Sequence, residues 1–290
     1  MITSLLDLLI ALVAAALLAS LATGWARPED IFLALLAALA LRLWARPAPV
    51  PDLRPRRVVA VGVIAYACVF TFVTVSRHVT FDTHALDLGY YVQLVWSLAT
   101  GRGPRVSLPE MHAWGDHLSP ILYLLVPIFW VTPGPVALLV AQSVALALGG
   151  VATFALARRR LGDERPAAAF AVLYLLNPSL HGINVRDFHA AALAIPLLLA
   201  ALAFAEARRF WLLGGALLLT LACREDAALP VGGVGAWLAV RHGYWLGGAA
   251  LSLGALATLA VLLQWVIPSY RHEPYSHLWR YTAHGQSLGE

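Results

Sequence analysis

The sequence predicts an all-α, polytopic integral membrane protein, and three observations carry that prediction. Of 290 residues, 60% are hydrophobic and 12% charged, with mean hydropathy +0.75. One water-soluble core of this length does not hide so much apolar surface. Apolar runs near the roughly 20 residues that a helix needs to cross a bilayer recur along the chain, and short Arg-containing links separate them. Secreted, fibrous and disordered classes are thereby excluded. The net charge of +4 comes from 20 basic residues, all arginine, against 16 acids. No basic stripe interleaved with aromatics appears, so the high pI reads as topological and no nucleic-acid partner is expected. Two cysteines, Cys68 and Cys223, are too few for a disulfide framework or a zinc motif.

In chain order the runs lie at 4–23, 30–45, 58–75, 135–157, 166–180, 190–205, 210–222, 227–240 and 246–267, which gives about nine transmembrane helices. The first follows Met1 without a basic leader and reads as a retained helix, not a signal peptide. Residues 1–57 form an N-terminal hairpin with a Pro/Arg-rich cytoplasmic linker, RPAPVPDLRPRR; residues 58–290 form the membrane core. The basic links at Arg46–Arg57, Arg158–Arg165, Arg208 with Arg209, and Arg241 belong on one side, the cytoplasm. The run Leu118–Val131, with Pro120 and Pro127, is too short to span. Laid on the membrane surface, it keeps all four basic links on that side. A large extracytoplasmic loop at 76–134 follows, with further outward segments at His181–His189, around Arg224–Asp226, and from Pro268 to the end.

Within the first outer loop, HVTFDTHALDLGYYVQLVWSLATGRG starts directly after a span, and its second half reads as an interfacial helix. Leu88, Val92, Val95, Trp96 and Ala99 make its apolar arc; Asp87, Tyr90, Gln93 and Ser97 make the polar one. Asp82 and Asp87 are catalytic candidates, and equally candidates for capping that helix. Tyr90 and Tyr91 suit either substrate orientation or a membrane-belt anchor. Ahead of the tail, six of the ten histidines, His78, His84, His112, His117, His181 and His189, fall on the expected outer side. With Asp87, Asp116 and Asp187 they are candidate ligands of a divalent metal, although their spacing matches no strong motif. The patches NVRDFHA, with Arg186, Asp187 and His189, and CREDA, with Arg224, Glu225 and Asp226, interrupt apolar stretches, as functional groups at membrane depth do. Each patch is also satisfied by an internal ion pair; alternatively Arg186 or Arg224 holds phosphate.

The segments FDTHALDLGYYVQLVWSLATGRG, HLSPILYLLVP, ARRRLGD, LYLLNPSLHGINVRDFHAAALAIPLLL and CREDAAL together resemble a bacterial membrane-protein family catalogued as domain of unknown function 2079, over roughly residues 60–290. That family is similar in turn to the GT-C glycosyltransferases, which move a sugar from a polyprenyl-phosphate carrier on the outer membrane face. The resemblance implies an acidic residue in the first outer loop, where Asp87 in DLGYY stands, with Asp82 in reserve. It implies a phosphate contact at His117, where lipid-phosphate transferases carry Lys, and at Arg224, where the family pattern usually has Lys. It also implies a metal site at NVRDFH in some GT-C members.

The expected function is transfer of a sugar from a lipid-linked donor to an extracytoplasmic acceptor at the inner (plasma) membrane, with Asp87 as general base. Arg224 and Arg186 would stabilise the leaving phosphate. Membrane lipid and the lipid-linked sugar are the expected partners. The alternatives are a non-catalytic carrier or lipid-binding protein, and a structural partner in envelope assembly. GT-C proteins usually continue with further helices, so a C-terminally shortened chain with weak activity is expected.

Overall fold

The computed structural model describes residues 2–23, 28–45, 54–108 and 110–271. The proline-rich stretch of the linker and the expected outward tail after 271 lie outside the described residues. The chain divides into two compact units, 1–53 and 54–290. In the first, α1 (Ile2–Thr23) and α2 (Pro28–Ala45) pack as a hairpin, and Arg42 Nε reaches Asp7 Oδ1 at 2.5 Å.

Among its described residues the second unit is helical apart from one hairpin. Pro55 opens α3 (Pro55–Val79), as its missing N–H permits. Then come α4 (Ala85–Ala99), the antiparallel pair β1 (Arg105–Ser107) and β2 (Glu110–His112), a 3-10 turn Pro120–Leu125 and α5 (Val126–Val131). The long α6 (Pro135–Leu161) ends on Gly162 in the left-handed conformation. Beyond it lie α7 (Glu164–Leu175), α8 (Pro178–Val185), α9 (Ala194–Glu206), α10 (Phe210–Leu221), α11 (Ala228–His242), α12 (Trp245–Val261) and, after one π turn, α13 (Ile267–Arg271).

Ion pairs show how these helices alternate. At one end Glu164 joins Arg56 (2.7 Å) to Arg158 (3.0 Å), and Glu206 joins Arg160 (2.8 Å) to His242 (3.6 Å). The basic links before α3, between α6 and α7, after α9 and after α11 thus share one end, as the arginine pattern anticipates. At the opposite end His84 meets Asp187, His117 meets Glu225, and the His112 ring stacks on Tyr270.

Among the described residues three helices are long and apolar enough to cross a membrane: Pro55–Val79, Pro135–Leu161 and Trp245–Arg271. A fourth is counted if α7 and α8, bent by 41°, form one broken span. The runs at 190–205, 210–222 and 227–240 yield α-helices of 13, 12 and 15 residues. At 1.5 Å per residue these rise only about 18–23 Å, against ~30 Å of hydrocarbon.

Several expectations need correction. The run at 166–180 is not one helix, and His181 lies on α8, not in a loop. Pro178 has no N–H and the Ser179 N–H is taken by the Asn177 side chain (2.9 Å), so the helix breaks there. The freed Leu175 carbonyl accepts from His181 Nε2 at 2.7 Å, with the His181 ring against Tyr66 and Phe70. On α4 the buried side chains are Leu88, Tyr91, Leu94, Val95 and Leu98, with Ser97 of the expected polar arc buried beside them. This face is rotated by roughly a quarter-turn from the expected arc at 100° per residue. Trp96 is exposed, and Tyr91 is buried against Phe188 instead of anchoring a membrane belt.

Candidate functional site

One arrangement occurs twice at the end opposite the basic links. Asp187 is 1% exposed, and its Oδ2 accepts from the His84 backbone N–H (3.0 Å) and from His84 Nδ1 (3.1 Å). Glu225 is 2% exposed; its Oε1 accepts from His117 Nδ1 (2.7 Å) and its Oε2 from the Leu118 N–H (3.1 Å). Each acid follows an Arg, and a 3-10 turn, begun by Glu225 itself and starting three residues after Asp187, leads into the next helix, α11 or α9. Each therefore ties the segment between α3 and α6 to a break between two later helices. A buried carboxylate is expensive unless its oxygens are used, and here histidine and backbone donors use them.

A polar residue inside an apolar helix supports the first of these ties. Gln142 of α6 is fully buried; its Nε2 donates to the Asp187 carbonyl (2.8 Å) and its Oε1 accepts from the His189 N–H (2.8 Å). Ser143 donates to Asn184, whose amide reaches the Tyr66 hydroxyl. The backbone at Asp187 is left-handed, with φ +80°, so intrahelical bonds do not satisfy it and the glutamine does. None of Gln142, Asn184 and His84 stands out as a site residue by spacing. The available signal is that Gln142 is a lone amide within the apolar run of α6.

The remaining candidates surround Tyr90 and Tyr91. Asp87 lies in the first turn of α4, where the helix dipole favours it, but the cap position is His84 and no side-chain cap bond forms. The Asp87 carboxylate is 49% exposed and 3.9 Å from His189 Nε2. The His189 ring stands edge-on to Tyr91. Burial pushes the Tyr91 phenol up to about 12, with Arg224 pulling it down and Asp116 and Asp87 pushing it up. Tyr90 is raised by burial and by Asp116, Tyr91 and Glu225, and its hydroxyl donates to the Ala113 carbonyl. These couplings bring Asp87, Asp116, Arg224 and Glu225, drawn from three separate stretches of chain, around one aromatic pair.

Arg224 is held bidentately by Asp226, Nε to Oδ1 and Nη2 to Oδ2, and that pair raises its already high pKa further. The internal-pair alternative is thus realised at this patch. Arg186 is exposed and has no side-chain partner among the described residues. Asp82 is ion-paired with Arg77 Nε at 3.0 Å, and Arg77 also donates to the Asp82 and Val185 carbonyls. Asp82 therefore serves the turn between α3 and α4. Among the described residues no group of three or more His, Cys, Asp or Glu side chains is placed to hold a metal ion. Asp187, His189 and Asp116 do not form such a group, because the Asp187 carboxylate is turned to His84.

No curated protein and no solved structure matches the chain. The match to a family begins at Arg77, in the last turn of α3, and takes in every residue of the two buried carboxylate ties. The chain belongs to the family described as predicted membrane protein, DUF2079, which it matches over residues 77–290.

Proposed function

We propose that the protein is a GT-C-type glycosyltransferase that moves a sugar from a polyprenyl-phosphate donor to an extracytoplasmic acceptor. The observation that carries this reading is the half-exposed Asp87 beside His189, with Arg224 and Asp116 acting on the same tyrosine. In the reaction the acceptor hydroxyl oxygen bonds to the anomeric carbon, its proton passes to Asp87, and the bond from that carbon to the phosphate oxygen breaks. Polyprenyl phosphate leaves with the bonding electrons, and Arg186 and Arg224 stabilise its charge. Placing the basic links in the cytoplasm puts this chemistry outside the inner membrane. The chain then crosses about nine times, its short helices reaching only to where the outer loop dips to meet them.

Asp87→Asn in proteoliposomes carrying polyprenyl-phosphate sugars is expected to lower turnover about 10²–10⁴-fold, the usual contribution of a general base. Unchanged turnover removes Asp87 from that role. The bidentate hold of Asp226 on Arg224 favours a second reading, a non-catalytic lipid-binding or envelope-assembly protein. Native mass spectrometry separates the two: polyprenyl phosphate retained without sugar turnover supports the second.

A further inference from the structure

On the far side of α4 from Asp87 lies a second cavity, of about 640 Å³, walled by α4, the β1–β2 hairpin and α13. Its volume is that of a small-molecule site. Arg102, Arg105 and Arg271 line it, with Glu110 the one carboxylate among its lining residues. Gly101 and Gly103, both left-handed (φ 71° and 76°), turn the chain after α4 and set Arg102 over the face of Trp96, 4.3 Å from the ring centroid. Neither Arg102 nor Arg105 is paired with a carboxylate among the described residues.

The walls are fastened independently of any ligand. Gln93 of α4 donates to the Ser107 hydroxyl (2.8 Å) and accepts from the Ser107 N–H (3.0 Å), which holds the hairpin to the helix. His112 stacks on Tyr270 at 4.2 Å and 8°, which holds α13 to the hairpin. The buried Nδ1 of His112 has no hydrogen-bond partner. Burial and the Arg105 charge both lower its pKa, the effect of a locally positive site. Arg102 and Arg105 thus present two guanidinium groups that no carboxylate among the described residues pairs, which suits a phosphate. Planar guanidinium forks match tetrahedral oxyanions.

We propose that this cleft binds a phosphate ester through Arg102 and Arg105. The inference does not depend on glycosyl transfer, and loss of activity in Asp87→Asn does not bear on it. The test uses the full chain in detergent, titrated calorimetrically with glycerol 3-phosphate, and the full chain in phosphatidylcholine nanodiscs containing phosphatidic acid, read by native mass spectrometry. Binding of the soluble ester identifies a water-borne phosphate; binding of phosphatidic acid alone identifies a lipid headgroup. In either arm Arg102→Gln with Arg105→Gln is expected to weaken binding about tenfold or more. Glu110→Gln, which removes the opposing charge, is expected to tighten it. Absence of binding in both arms, wild-type affinity in the double variant, or no tightening in Glu110→Gln overturns the assignment.

Discussion

Asp187 and Glu225 do similar work with different geometry, and the difference is testable. Both donors to Asp187 converge on a single oxygen, Oδ2, so an asparagine can place its carbonyl oxygen there and keep both bonds. The donors to Glu225 are divided between Oε1 and Oε2. A glutamine keeps both bonds only by turning its NH₂ to His117 and forcing that ring into the tautomer that accepts at Nδ1; otherwise a donor is left facing a donor. Asp187→Asn is accordingly expected to cost less than about 1 kcal/mol and Glu225→Gln about 1–3 kcal/mol, the penalty of a buried unsatisfied group. Thermal unfolding of the two variants in detergent measures the contrast, and an equal loss in both would show that the shared oxygen is unimportant. The two tyrosines at the candidate site stay neutral at ordinary pH because burial disfavours the phenolate.

Among the elements, α11 and α12 are the pair that packing most constrains. Gly235 and Gly248 face each other so closely that a Cβ on either would overlap the other's carbonyl oxygen, while Ser252 donates to the Gly232 carbonyl at 2.8 Å. Small residues at such crossings let helix backbones approach in lipid, where dispersion and interhelical hydrogen bonds drive association. Gly248→Leu is expected to destabilise by about 1–3 kcal/mol through overpacking. Gly247→Leu, one residue along and facing open space, should change stability little. The same melting assay checks the pair, and equal effects would refute the close crossing. The rotation of α4 has a comparable origin: Trp114, Val106, Leu122 and Phe129 of the outer loop share its core cluster. The loop buries a face that amphipathicity alone assigns to solvent.

For the whole molecule, the arginine links forecast which helix ends lie together, and the ion pairs through Glu164 and Glu206 join those links at one end. Orientation across the bilayer is tested by single cysteines in a Cys68→Ala, Cys223→Ala background. Ser107→Cys should react with a membrane-impermeant thiol reagent added outside, and Arg209→Cys only after permeabilisation; the reverse pattern inverts the topology. The membrane class, most helix positions and the concentration of acids and histidines at one end were legible in the residue pattern, because the hydrophobic effect and the cost of placing charge in lipid act locally along the chain. The roles of individual polar residues were not legible. Asp187 and His84 are 103 positions apart and Glu225 and His117 are 108 apart, so no spacing rule joins them. Sequence by itself determined that this is a helical membrane protein with a basic end and an acidic, histidine-rich end. Tertiary structure alone decided which carboxylates became buried fasteners and which, like Asp87, remained open to solvent, since desolvation and long-range hydrogen bonding exist only once the helices have packed.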